Sequence, residues 1–230
     1  MEKTKAIQKP KNDIQKQNNS SSQAKKKQYK KLCFKDTIYE VGNTLLFKET
    51  ENSTVIGKLV RIIPEGGNPA HPKWPMIEVQ WYYKKQDLDF KKLGISDEDQ
   101  THFGYNEVFP TNHHDKIYVD CIQGKCQVHH IDDYDKLETV GANVYFTRAN
   151  YNPLQKILDP PFIQWEKYCL CQKPLNPNNL YIKCDGCNQW YHPKCMGISD
   201  SDAYQTEDFF CVKCSEKQQN AKETNQIQQK

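Results

Sequence analysis

The chain has 230 residues, 37% hydrophobic and 27% charged, with a formal net charge of +3. No apolar run approaches the ~20 residues of a membrane-spanning helix, and the charged start MEKTKAIQKP carries no apolar stretch of a secretory signal. The expectation is a chain with no membrane partner and with a folded core in only part of its length.

In chain order, the first feature is a basic arm. Residues 1–31 hold ten lysines against Glu2 and Asp13, a net of +8 that leaves the remainder about −5. Almost without apolar residues, this stretch is expected to be disordered through residue 34. It reads as a weak DNA contact, a nuclear import signal (AKKKQYKK) or a solvated tail. From 35 to 150, short runs rich in Val, Ile, Tyr and Phe alternate with turn clusters such as Pro64–Pro69, Gly94 and Gly124. This spacing predicts a mainly β fold, an antiparallel sheet or barrel. Single helical turns are predicted at 96–99, capped by Ser96, and within 132–140. In the run Ile77–Tyr83, period-2 alternation puts Ile77, Val79, Trp81 and Tyr83 on one face. That face is either core or a ring-lined pocket at the strand's exit. His113-His114 and His129-His130 are sequence neighbours that point opposite ways on a strand, so they read as structural rather than as metal ligands. Residues 151–165, rich in proline (Pro153, Pro160, Pro161), read as a short linker.

Residues 166–216 carry the sharpest signal. Cys169, Cys171, Cys184, Cys187, His192, Cys195, Cys211 and Cys214 form four close pairs. Thiolate and imidazole are zinc ligands, and a closed structural site takes four, so eight supply two Zn2+ sites. A disulfide scaffold is the competing reading, but the lone histidine fits a ligand count better. Cys33, Cys121 and Cys126 are left over, an odd number that fits a reducing compartment. The polar residues 217–230 are expected to be unfolded.

The ligand order and the segment CDGCNQWYHPKC resemble the plant homeodomain (PHD) finger family. The resemblance implies a cross-brace in which Cys169, Cys171, His192 and Cys195 hold one zinc, and Cys184, Cys187, Cys211 and Cys214 the other. It also implies a methyl-lysine cage. Fingers that read trimethylated lysine four of histone H3 carry aromatics where Tyr168, Tyr181 and Trp190 stand here, with a fourth wall at Leu175. A trimethylammonium cannot donate a hydrogen bond and is held by aromatic faces. Asp185 would pair with the arginine two residues upstream of that lysine, and Tyr181–Lys183 would take the tail as an added strand. A core tryptophan on the zinc knuckle remains the alternative for Trp190. A RING-type ubiquitin or SUMO ligase also interleaves two zincs, but with a two-residue first gap and an earlier histidine.

The segments VQWYYKK, NEVFPTNHHD, CIQGKCQVHHIDDYDKLETV and GANVYF resemble bromo-adjacent homology (BAH) domains, in the order seen in small BAH–PHD chromatin readers. In that family the BAH domain reads trimethylated lysine 27 of histone H3 through tyrosine, tryptophan and tyrosine. Trp81 and Tyr83 match the last two, and the first falls on Val55. The expectation is thus a non-enzymatic nuclear reader of methylated H3 tails and nucleosomes, working with other chromatin-complex subunits. A purely structural adaptor of such a complex is the remaining reading.

Overall fold

The computed structural model describes residues 28–51, 53–63 and 75–227. The basic stretch 1–27 and the turn cluster 64–69 read in the sequence lie outside these residues.

The strands are β1 (Lys31–Phe34), β2 (Thr37–Glu40), β3 (Thr44–Lys48), β4 (Thr54–Ile63), β5 (Met76–Lys84), β6 (Val108–Tyr118), β7 (Ile122–Lys125), β8 (Gln127–His130), β9 (Val144–Thr147), β10 (Asn150–Asn152) and β11 (Ile157–Asp159). Seven of them form one sheet in the order β11-β10-β6-β5-β4-β3-β7. Its long ladders are antiparallel, as expected; β10 meets β6 in parallel at Tyr151–Thr111, and β8 pairs with β9 in parallel. Two short helices, α1 (Phe90–Leu93) and α2 (Ile131–Tyr134), lie in the connections. Ser96 Oγ accepts from the Asp99 N–H at 3.1 Å and opens a 3-10 turn over Asp99–His102. The helical segment expected within 132–140 is the single turn α2.

Of the buried apolar clusters in this module, two are the largest. Leu45, Phe47, Leu59, Ile77, Val79 and Ile122 fill one. The other centres on Phe103, whose ring meets Phe90, Phe109, Phe162 and Trp165 at centroid distances of 5.0, 5.9, 5.6 and 4.9 Å. Burying such a ring contributes about 1.5–3 kcal/mol. This second cluster corrects the expected linker at 151–165. Tyr151, Leu158 and Trp165 are buried in it, so the proline-rich stretch is a strand pair and turn of the sheet module. A second correction falls at the N-terminal side, where Lys31–Phe34 pair with Thr37–Glu40 as a hairpin instead of extending the tail.

The C-terminal module has little regular structure: β12 (Lys167–Tyr168) with β13 (Lys173–Pro174), β14 (Ile182–Lys183) with β15 (Trp190–Tyr191), and α3 (Asp200–Gln205). It ends in α4 (Val212–Ile227), which replaces the unfolded tail expected from residue 217. Its first turn carries Cys214, and Lys, Glu, Gln and Ala are good helix formers, so a polar sequence continues a turn that the metal-site cysteine starts.

The modules meet along a polar seam. Arg148 forms a buried pair with Glu107 (Nε to Oε1, 2.7 Å; Nη2 to Oε2, 3.1 Å) and donates from Nη1 to the Leu175 carbonyl at 2.5 Å. Its guanidinium lies 4.4 Å from the Trp165 ring centroid. Asn176 Nδ2 donates to Thr101 O at 2.9 Å, the Tyr105 N–H donates to Asn178 Oδ1 at 2.8 Å, and Lys173 pairs with Asp99 at 2.8 Å. Burial raises the Glu107 pKa, and the Arg148 charge and the Gly104 amide oppose that rise.

Candidate binding clefts and metal centre

The eight sequence-predicted ligands gather as Cys169, Cys171, His192 and Cys195, and as Cys184, Cys187, Cys211 and Cys214; within each group the ligand atoms lie within 4.8 Å of one another. Tetrahedral zinc with Zn–S near 2.3 Å requires sulfurs about 3.8 Å apart, and Cys187 Sγ stands 3.9 Å from Cys211 Sγ. His192 presents Nδ1 to Cys171 Sγ at 3.5 Å and to Cys195 Sγ at 3.9 Å. The knuckles need unusual backbone: Cys169, Gln172 and Asn188 have positive φ. At Gly186, a Cβ would stand 2.9 Å from Cys214 Sγ, so only glycine lets the loop close on the second site. Amides face the sulfurs: His192 N–H donates to Cys169 Sγ at 3.4 Å and Cys211 N–H to Cys184 Sγ at 3.2 Å. Burial pushes the Cys184 thiol up, but the amides of Cys211, Cys187 and Gly186 outweigh it and bring its pKa down to about 6. Donor set and spacing fit two structural zinc ions, which brace the module. None of His113, His114, His129 and His130 belongs to either group; their partners are Asp115, Glu78, Gln127 and Asp132.

Around the braced module, the four expected cage positions fall into three settings. Tyr168 and Leu175 line one hollow of about 180 Å³, shared with His130, Ile131 and Arg148 across the seam. Burial and the hydrogen bond that its hydroxyl donates to the Glu166 carboxylate raise the Tyr168 pKa. Tyr181 is half-buried, its ring centroid 4.6 Å from that of His192, its hydroxyl accepting from the Asn176 N–H at 3.1 Å. Trp190 is 44% exposed on β15, opposite Lys183, and is not packed into the finger core. Leu175 also packs against Ile131, Tyr134 and Phe146. Sequence spacing offered no sign of this contact. Asp185 is exposed; its Oδ2 accepts from the Phe209 N–H at 2.8 Å, so one of its two oxygens is already engaged.

In the sheet module, Trp81, Tyr83 and Val55 line a single cleft of about 540 Å³. Strand alternation alone would have placed Trp81 and Tyr83 with buried Ile77 and Val79. Trp81 does pack against the cluster that holds Ile77 and Val79, but a register shift between Gln80 and Tyr82 in the β5–β6 ladder follows, and Trp81, Tyr82 and Tyr83 all line the cleft. Gly57, opposite Trp81, makes room: a Cβ there would fall 2.2 Å from Val79 Cγ1 and 3.1 Å from the Trp81 ring. Trp81 packs edge-on to Phe47 at 5.3 Å. Its Nε1–H donates to Asp115 Oδ2 at 2.8 Å. His113 Nε2 lies 3.2 Å from the same oxygen, and His113 Nδ1 lies 3.2 Å from the Tyr83 hydroxyl. Burial, with smaller effects of Asp87, Tyr151 and Asp115, raises the Tyr83 pKa. The sequence reading missed His113, Asp115 and Asp87; the first two sit in the quoted NEVFPTNHHD, two residues apart and so on one strand face.

Two family models match the chain, the BAH domain over residues 37–161 and the PHD-finger over residues 169–214. The Arabidopsis thaliana chromatin remodeling protein SHL is 32% identical over 201 residues, covering 86% of this chain and 82% of that protein. The chromatin remodeling protein EBS of the same plant is 34% identical over 139 residues, 60% of this chain and 56% of its own length. The Set1 complex component spp1 of Schizosaccharomyces pombe is 43% identical over 49 residues, 21% of this chain and 11% of that protein. With both modules matched in sequence order, the chain belongs to the family of BAH–PHD chromatin proteins.

Proposed function

We propose that the chain is a nuclear, non-catalytic reader of histone H3, whose finger binds the extreme N-terminus carrying di- or trimethylated lysine four. The BAH cleft binds a second methylated lysine, with lysine 27 the leading candidate. The observation that carries the finger reading is the exposed indole of Trp190 on β15, beside a two-stranded sheet whose β14 edge is open to an added strand. An exposed tryptophan on a metal-braced hairpin has no packing role to justify it, whereas cation–π contact with a methylammonium is worth about 0.5–2 kcal/mol per ring. Tyr168, Leu175 and Tyr181 are the further walls, and Asp185 keeps one oxygen for the upstream arginine. For the BAH module, support comes from the convergence of Trp81, Tyr83 and Val55 on one cleft. Two sites on one chain give avidity for a tail bearing both marks.

The test is calorimetry of the full chain with N-terminal H3 peptides. The trimethylated lysine-four peptide should bind more tightly than the unmethylated one, and Trp190→Ala should remove the preference while both zincs stay bound. Equal affinity for the two peptides rules the finger reading out.

A further inference from the structure

We propose that the BAH cleft selects mono- and dimethyl-lysine over trimethyl-lysine, with Asp87 accepting the remaining ammonium N–H and Asp115 acting as the positioning residue for both rings. This rests on the methyl-lysine reading of the cleft given above. A trimethylammonium has no N–H and gains only from apolar and aromatic enclosure. A dimethylammonium keeps one N–H, which loses its water partner on entering a pocket and must find an acceptor there. Enclosure is partial here: Phe47, Trp81, Tyr82 and Tyr83 line the cleft, and Val55 gives it an aliphatic wall where the family resemblance puts another ring. Carboxylates are present as well: Asp87 and Glu49 line the same cleft, with Lys48 the one lysine or arginine among its described lining residues.

Asp87 is held in place. Its Oδ2 accepts from the Lys84 N–H at 2.7 Å, which closes the 3-10 turn after β5 and leaves Oδ1 as an acceptor. Glu49 accepts from Ser53 Oγ at 3.0 Å and is the less constrained of the two, at a strand end. Asp115 has a different part. One of its oxygens takes the Trp81 indole N–H and also faces His113, which in turn contacts the Tyr83 hydroxyl. Trp81 and Tyr83 are thereby tied through Asp115 and His113, and neither polar ring edge is left to seek a partner inside the cleft.

Calorimetry of the full chain with four H3 peptides spanning lysine 27, carrying zero to three methyl groups, tests this. Dimethyl should bind roughly fivefold more tightly than trimethyl, the gain of a charged hydrogen bond less the loss of one buried methyl. Asp87→Asn should bring that ratio close to one while trimethyl affinity holds. Val55→Tyr should turn the order round in favour of trimethyl. Asp115→Ala should weaken all methylated peptides, and Asp115→Asn, which keeps an oxygen acceptor, should restore them. Trimethyl binding tightest in the unaltered chain overturns the inference, as does Asp87→Asn weakening every peptide alike. If no methylated peptide binds more tightly than the unmethylated one, the methyl-lysine reading of the cleft itself falls. A reversed methyl order, in contrast, removes only the selectivity.

Discussion

In the finger, the buried cluster is Cys169, Ile182, Cys184, Tyr191, Phe209 and Cys211, so half of its residues are metal-site thiols. In the sheet module the corresponding positions are Phe103, Phe109 and Trp165, which meet ring to ring, and Phe47 and Tyr151, whose rings meet Trp81 and Tyr83. One module is therefore held by donor atoms at fixed distances, the other by apolar area removed from water. Each module is therefore sensitive to a different perturbation. Removing zinc should give the largest effect, because structural sites supply about 10–16 kcal/mol of apparent binding free energy at neutral pH. With a strong chelator, amide exchange should become fast across residues 169–214 while protection persists in β4, β5 and β6. Loss of protection in both modules together would mean that the sheet depends on the finger.

The second effect strikes the seam where the two kinds of structure join. Arg148→Leu leaves the Glu107 carboxylate buried without its partner, a change that costs about 3–5 kcal/mol. The same substitution removes the hydrogen bond to the Leu175 carbonyl. Thermal unfolding should show a lower midpoint for the sheet module, and exchange should rise around Leu175 and Asn176. A drop confined to the sheet, with no change in the finger, would show that the seam does not couple them.

The same contrast decides what could be read from the sequence. Metal ligation is a local chemistry with a fixed donor list, so all eight ligands were legible from spacing, and their division into two sites from family resemblance. Alternating apolar runs exposed most strands of the sheet for a similar reason. Residues 151–165 were misread because Pro153, Pro160 and Pro161 dominate the pattern, although Tyr151, Leu158 and Trp165 between them are core residues. Helix α4 carries no apolar stripe, and periodicity is the signal by which a helix is recognised. The seam was invisible for a deeper reason: Glu107 meets Arg148, and Thr101 meets Asn176, only after the chain has folded, and no local pattern marks such partners. At the clefts, the rings were found by type and position, while His113 and Asp115, which tie two of them together, looked like ordinary surface polar residues.

A smaller effect is expected in the sheet at Gly57. Replacing it with alanine puts a methyl group 2.2 Å from Val79 Cγ1 and against the rings of Trp81 and Phe47. Overpacking of this kind costs about 1–3 kcal/mol. The chain should remain folded with a lowered midpoint, and methyl-peptide binding at the BAH cleft should fall with it because Trp81 must move. Unchanged binding in Gly57→Ala would show that the indole's position is not set by this close approach.

The smallest change in stability should come from the finger's tryptophan, and it separates the two modules most cleanly. Trp165 is 4% exposed and Trp190 44%. Trp165→Ala empties the middle of a ring cluster and should cost about 3–5 kcal/mol. Trp190→Ala removes a ring that faces solvent on a hairpin held by zinc, and surface substitutions of this kind stay within about 0.5 kcal/mol. Its effect should be seen in peptide binding and nearly nowhere else. If chemical denaturation shows Trp190→Ala to be as damaging as Trp165→Ala, the indole is part of the finger's packing and the methyl-lysine role assigned to it is lost. If the midpoint holds and the preference for methylated lysine four disappears, the ring is kept for its ligand, since a module braced by metal has no need of it as core.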